Sequence, residues 1–452
     1  MLGRIARRPV VILAAASLVM FGILLYVGRW ELFWFDEWSF IFNRPDPTAR
    51  ALLAPFFDTF VAVPVLVYDA LLAVFGMRTY LPYLFVAWAA HFTIAFLLYR
   101  IASRRSGATV GLVASLSVVF LGSGWEILLQ PFQIQYLFAI ATGLIAFDQL
   151  ETLTPETARR NVAIAATALL LGVASSGLAV IYTGLLIVWA ILRHHRPTFV
   201  AVVPAIALYA TWYFTWGRES LRVPGPGLSP LESVYATVYG MGGAVSGLIG
   251  LTPTRFAVLG MALGLAGVTV FALAVWRGYR PDALVLAAVA ALIAQNVLQT
   301  ILRAPYGVEH GARSGYVYAD IIFIWLALVG VIGNRVRTAP PRARRWAPIA
   351  ATVVLVPMVL GNVWQLSGVA VMTRHERATE LAELRMIESL RGTPGLALDV
   401  QPDDTLLMGI TARNYFAAID RFGRPTLPWD WQSEVDAAAV EAARHRLLPG
   451  SP

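Results

Sequence analysis

Apolar runs of membrane-spanning length recur along most of the chain, separated by short polar segments, and this pattern predicts an all-α polytopic membrane protein. The first run, residues 9–28, follows Arg4, Arg7 and Arg8 and has no small-residue cleavage site before Trp30. It reads as an uncleaved anchor with its N-terminus inside. Residues 30–80 then form a long first outside loop. Within that loop, 61–75 is apolar but short and carries Pro64 and Asp69, which predicts a helix lying in the interface. The run at 81–101 ends among Arg100, Arg104 and Arg105 and so passes inward. Further runs follow at 108–122, 136–150, 158–175, 178–193 and 198–216, with Arg clusters at 159–160 and 193–196 on the inside of this count. Ser175-Ser176-Gly177 makes a tight outer turn.

Residues 217–232 contain Arg218, Arg222 and several Pro and Gly, the chemistry of an outside loop. The Gly-rich stretch 233–250 is expected to be half-buried or re-entrant. If it crossed, Arg277, Arg280 and the Arg cluster at 335–345 would all fall outside. Runs at 256–276, 283–302, 316–333 and 347–366 bring the expected total to about eleven crossings and leave the C-terminus outside. Residues 1–366 thus form a transmembrane domain. The tail, 367–452, carries a charged helical stretch (374–391), a short strand (396–400) and an amphipathic end (433–448), and is too small and polar for an independent domain. No internal repeat is visible, which weighs against an inverted-repeat transporter.

Composition agrees with this layout. Of 452 residues, 58% are hydrophobic and 14% charged, against about 25% charged in soluble domains. All 35 basic residues are Arg, and with the abundance of Ala, Gly, Val and Pro this points to a GC-rich bacterial genome. The formal charge of +8 sits in clusters between apolar runs, as in cytoplasmic loops of membrane proteins, so no nucleic-acid partner is expected. With no Cys, disulfides, thiolate metal sites and Cys nucleophiles are excluded.

The charge count gathers the unusual polar residues on one side of the membrane. Asp36 and Glu37 sit among Phe33, Trp34, Phe35, Trp38 and Phe40. On a helix neighbouring side chains diverge by about 100°, so one carboxylate can face a pocket while the other holds the loop. With a carboxylate pKa of about 4, Asp36 is the candidate base, whereas a helix cap or ion pair is the structural alternative. Trp125, Glu126, Gln130 and Gln133 combine an aromatic with groups that bond sugar hydroxyls, or form an aromatic belt. The segment 303–318 carries His310, Arg313, Tyr316 and Tyr318. Arg313 suits a leaving phosphate, although snorkelling to headgroups also accounts for it, and His310 lacks the spacing partners of a zinc site. Arg222, Arg218 and Asp58 complete the candidate set.

At these residues the chain resembles the type C (GT-C) glycosyltransferase superfamily. The resemblance covers most of residues 1–366 and rests on Asp36-Glu37 in a long first loop, on Val63-Pro64 and Phe75-Gly76 bounding the interfacial helix, on Trp125-Glu126 with Gln133, and on Arg313 with Tyr316 and Tyr318. Relatives often place His or Lys just before the Pro of that helix, where this chain has Phe56-Phe57-Asp58-Thr59-Phe60, and several have Arg directly beside the late-loop Tyr, where Ser314 and Gly315 intervene. The resemblance implies an inverting membrane glycosyltransferase of the bacterial cell envelope, moving a sugar from a polyprenyl-phosphate donor to a glycan or lipid acceptor. Asp36 would be the base, Glu37 its companion acid, and Trp125, Glu126, Gln133, Arg313 and Tyr316 substrate-binding residues; Asp58, Arg222 and His310 join the substrate-binding set from their place on the same side of the membrane. No cofactor is required by it, though some members use a divalent metal, for which Asp36, Glu37 and Asp58 are the available ligands. Two alternatives stay open: a transporter or flippase of a lipid-linked saccharide, and an inactive relative serving in envelope assembly.

Overall fold

The computed structural model describes residues 2–219, 225, 227–338 and 341–449. Eighteen α-helices are present among them. The first five are α1 (Leu2–Gly28), α2 (Asp36–Asn43), α3 (Ala49–Leu53), α4 (Ala62–Phe75) and α5 (Leu81–Ser106). Then come α6 (Ala108–Val119), α7 (Trp125–Leu129), α8 (Ile134–Glu151), α9 (Ala158–Val173), α10 (Leu178–Arg193) and α11 (Arg196–Thr215). The remainder are α12 (Pro230–Leu248), α13 (Pro253–Trp276), α14 (Ala283–Leu302), α15 (Ser314–Thr338), α16 (Pro341–Ser389), α17 (Ala412–Phe422) and α18 (Ala437–Leu447). The protein is all-helical and multi-pass. Seven described helices are long and apolar enough to cross a membrane, or eight if α6 and α7, bent by 42°, make one broken span. Helices α8, α9 and α10 have 18, 16 and 16 residues and do not join that set, which is why the number falls below the eleven expected from hydropathy.

The two ends of the bundle differ in their chemistry. At one end α5, α8 and α14 are tied by ion pairs: Asp148 accepts from Arg100 (3.0 Å) and Arg104 (2.5 Å), and Glu151 from Arg104 (2.9 Å) and Arg105. Arg105 continues to Asp282 (3.0 Å), which caps α14. Because α5 and α8 end here while α14 begins here, the first residues of α5 and α8 and the last of α14 share the opposite end, where α15 starts. The candidate site lies there.

Helix α12 takes up the Gly-rich stretch as a single helix packed along α13. Gly permits that approach, since a Cβ on Gly260 would fall 1.9 Å from the Gly242 carbonyl oxygen.

Two expectations for the tail are corrected. Residues 396–400 form turns and no strand: Ala397 N–H donates to the Leu447 carbonyl (2.9 Å) and Arg413 N–H to that of Leu398 (3.0 Å), so no extended partner runs beside them. The last apolar run and the charged stretch after it are also one helix, α16, of 49 residues. The helix continues past the apolar run because its charges find partners, Arg377 with Glu380 (2.6 Å) and Glu31 (3.4 Å), and Arg374 with Glu434 (2.6 Å). Beyond it the tail docks on the first loop: Met77 N–H donates to the Phe422 carbonyl (2.8 Å), the Thr426 hydroxyl to that of Arg78 (2.7 Å), and Arg421 pairs with Asp46 (2.6 Å).

Candidate functional site

The neighbours Asp36 and Glu37 open α2 and point to different surroundings. Glu37 is 1% exposed. Its Oε1 accepts from the Tyr68 hydroxyl and from Phe132 N–H (3.2 Å), and its Oε2 from the Tyr80 hydroxyl (2.7 Å) and Trp34 N–H (3.0 Å). One carboxyl group therefore joins the first loop, α4, the start of α5 and the turn before α8. Burial pushes its pKa up to about 7 against the pull of these hydrogen bonds. Just before α2, Phe35 has φ 51°, a backbone conformation that bulky residues rarely adopt and that the Glu37 clamp on Trp34 holds in place.

Asp36 turns instead into a cavity of about 330 Å³. Its aromatic wall comes from Trp34, Phe35, Phe56, Phe57, Phe132 and Tyr136, and a polar wall from Glu126, Gln130, Gln133 and Gln135. The third wall is Arg303, Tyr306, His310, Arg313, Gly315 and Tyr316, between α14 and α15. Burial raises the Asp36 pKa to about 6, with Arg313 and then Arg303 pulling it back. This is above the ordinary value of about 4 expected from sequence, and it leaves the group mainly ionised at pH 7.

Both cations are fixed by carboxylates. Arg313 donates through Nε (3.2 Å) and Nη2 (2.9 Å) to Glu126 Oε1, while Gly315 N–H holds Oε2 (2.9 Å). The Glu126 N–H in turn donates to the Ser314 hydroxyl (3.1 Å). With its side chain 46% exposed, Arg313 still presents guanidinium surface to the cavity. Arg303 pairs with Asp58 (2.9 Å) behind the wall and reaches the Tyr316 hydroxyl (3.4 Å). His310 stacks on Tyr306, centroids 4.7 Å apart, and burial together with Arg313 and Arg303 lowers its pKa to about 3, so it is neutral at pH 7.

Asp36 has a second face. A smaller cavity of about 160 Å³ is lined by Phe35, Asp36, Trp38, Ser39, Phe42, Asn43, Met408, Gly409 and Asn414, between α2 and the tail. Phe35 and Asp36 alone belong to both linings. An apolar groove of about 320 Å³, lined by residues of α9, α10 and α11 that include Val173, Val180, Ile206 and Tyr209, approaches the larger cavity. A Cβ built on Gly177 would lie 3.8 Å from both the hydroxyl of Tyr209, a groove residue, and that of Thr59, a residue of the larger cavity.

Of the residues singled out from sequence, Asp36, Glu126, Gln133, His310, Arg313 and Tyr316 meet in the larger cavity. Glu37 stands behind it as the clamp, and Asp58 behind Arg303 as its partner. Trp125 lines a neighbouring cavity with Thr252, Pro253 and Trp364, which shares Glu126 and Arg313 with the larger one. Tyr318 faces the helical core, where its hydroxyl lies 2.8 Å from His91 Nδ1. Arg222 lies outside the described residues. Arg303 belongs to the site but was not singled out, although its place at the last turn of a span, opposite Arg313 in the same loop, was a usable signal. Asp36, Glu37 and Asp58 are turned to the cavity, the core and Arg303 respectively, and among the described residues no group of three or more His, Cys, Asp or Glu is placed to hold a metal ion.

No protein-family model, curated protein or solved structure matches the chain.

Proposed function

We propose that the protein is an inverting membrane glycosyltransferase of the bacterial cell membrane, moving a sugar from a polyprenyl-phosphate donor to an envelope glycan or lipid acceptor. In this reading the helices give a GT-C-like layout of about eleven crossings, with the N-terminus inside and the cavity and tail outside. The observation that carries it is the sharing of Asp36 by two cavities, one with two arginines and the other without. A group transfer needs such an arrangement, with donor and acceptor on either side of one proton acceptor.

The acceptor hydroxyl, entering beside Ser39 and Asn43, gives its proton to Asp36 as its oxygen bonds to the anomeric carbon. The bond from that carbon to the phosphate oxygen breaks, and its electron pair leaves on the phosphate. Arg313 and Arg303 face the developing charge, and their carboxylate partners keep them in place before the reaction begins. The isoprenoid tail lies in the apolar groove of α9–α11. A positioned base contributes roughly 10²–10⁴-fold to such a step.

A transporter of the same lipid is the competing reading, and the placement of Asp36, Arg303 and Arg313 together at one end of the bundle speaks against it. The purified protein in detergent, given polyprenyl-phosphate sugars and a bacterial glycolipid extract, is expected to release free polyprenyl phosphate and glycosylate the extract. Activity confined to sealed vesicles would support the transporter.

A further inference from the structure

We infer that Trp34, Gln130 and Gln133 form the recognition wall for the transferred glycosyl group, and that this group is an uncharged, hydroxyl-rich sugar. The inference rests on the lipid-linked sugar reading above. Each of the three side chains lines the larger cavity, and each has one buried polar atom without a hydrogen-bond partner: Trp34 Nε1, Gln130 Nε2 and Gln133 Oε1. Folded proteins retain few such groups, because an unpaired buried donor or acceptor is destabilising. Three together in side chains that line one cavity mark donors and acceptors that a ligand completes as these side chains turn toward it.

The wall is rigidly built. Gln130 and Gln133 flank Pro131 and Phe132 in a turn closed by Gln133 N–H donating to the Gln130 carbonyl (2.9 Å). Glu37 holds Phe132 N–H and Trp34 N–H at once, so the same clamp that orients Asp36 sets the indole and the two amides around it. The terminal amide torsion is soft and roughly two-fold, so each carboxamide can present either its donor or its acceptor. Sugar hydroxyls, which donate and accept, match this set, and the rings of Phe56, Phe132 and Tyr136 suit the apolar face of a pyranose.

Charge sets the class of sugar. Arg313 and Arg303 each hold a carboxylate and turn their remaining surface to the donor phosphate, so a uronate would compete with that phosphate for them. An ammonium on the sugar would pair with Asp36 and quench the base. Neutral hydroxyls do neither.

The test measures binding by calorimetry to the full-length protein in detergent. Its probes are a polyprenyl phosphate of fixed length, bare or carrying a neutral hexose, a hexuronic acid or an amino sugar. The neutral hexose is expected to tighten binding about tenfold over the bare lipid, as one or two good hydrogen bonds would, and the charged sugars are expected not to. Gln130→Leu and Gln133→Leu should each remove most of that gain while leaving the bare lipid's affinity unchanged, which also reports that the variants are folded. The isosteric Gln133→Glu should lower neutral-hexose affinity and raise that of the amino sugar. If the bare lipid binds and the hexose adds nothing, or if the variants bind the hexose-bearing lipid as the native protein does, the recognition wall is refuted and the lipid-linked reading stands. If none of the lipids binds, both fall.

Discussion

Replacing Glu37 with Gln changes one oxygen of a group that serves four donors. Whichever way the amide turns, its NH₂ end meets a backbone N–H, that of Trp34 at the Oε2 position or that of Phe132 at the Oε1 position. The Tyr68 and Tyr80 hydroxyls can rotate to accept, but a backbone N–H cannot, so the variant strands one buried donor at a cost of about 1–3 kcal/mol. The native carboxyl carries a different penalty. Burial moves its pKa from 4.5 unfolded to about 7 folded, which at about 1.4 kcal/mol per tenfold change in proton affinity is about 3 kcal/mol. A folded pKa above the unfolded one means that this stability is fully present below pH about 4.5 and lost as pH rises through about 7. Gln does not titrate there. The native protein should therefore be clearly more stable than Glu37→Gln at pH 5, and its advantage should shrink by about 3 kcal/mol, or reverse, by pH 8. Unfolding in mixed micelles followed by tryptophan fluorescence measures both. A stability difference independent of pH would refute the buried titration, and a Glu37→Ala variant as stable as the native protein would refute the clamp itself.

Transfer activity should rise tenfold per pH unit up to about 6 and then level, because Asp36, with a pKa near 6, must lose its proton before acting as base; a midpoint near 4 in the rate profile would contradict this. Arg313→Ala should lower kcat about 100-fold, with a smaller change in KM, and a loss below threefold in steady-state assays would remove it from the charge-stabilising role. In Gly76→Ala the new Cβ would sit 2.1 Å from the Phe422 carbonyl oxygen at φ +59°. The tail should then undock, seen as faster limited proteolysis beyond α16, and unchanged proteolysis would argue against this docking.

Much of the helical framework was legible because membrane-length apolar runs need no tertiary information. The runs at 81–101, 256–276, 283–302 and 316–333 lie within α5, α13, α14 and α15. The separation of Asp36 from Glu37 followed from helix geometry alone. What held Glu37 was hidden, since Tyr68 and Tyr80 are 31 and 43 residues away and a hydroxyl leaves no periodic trace. The backbone of Phe35 was equally silent: a positive φ is usually announced by Gly or Asn, and here an aromatic holds it by tertiary contact. The reading of α16 as two segments came from a change of composition at its middle. Helical hydrogen bonds do not depend on that change once Arg377 and Arg374 have partners.

The central claim is that Asp36 takes the acceptor's proton. Asp36→Asn keeps the side chain's size and leaves the Glu37 clamp untouched, so the variant should fold, reach the membrane and bind the lipid donor. Expressed in a strain lacking the native gene, it should fail to restore the missing envelope glycan, and in detergent it should release polyprenyl phosphate at least about 10²-fold more slowly than the native protein. Full restoration of the glycan by Asp36→Asn would contradict the account.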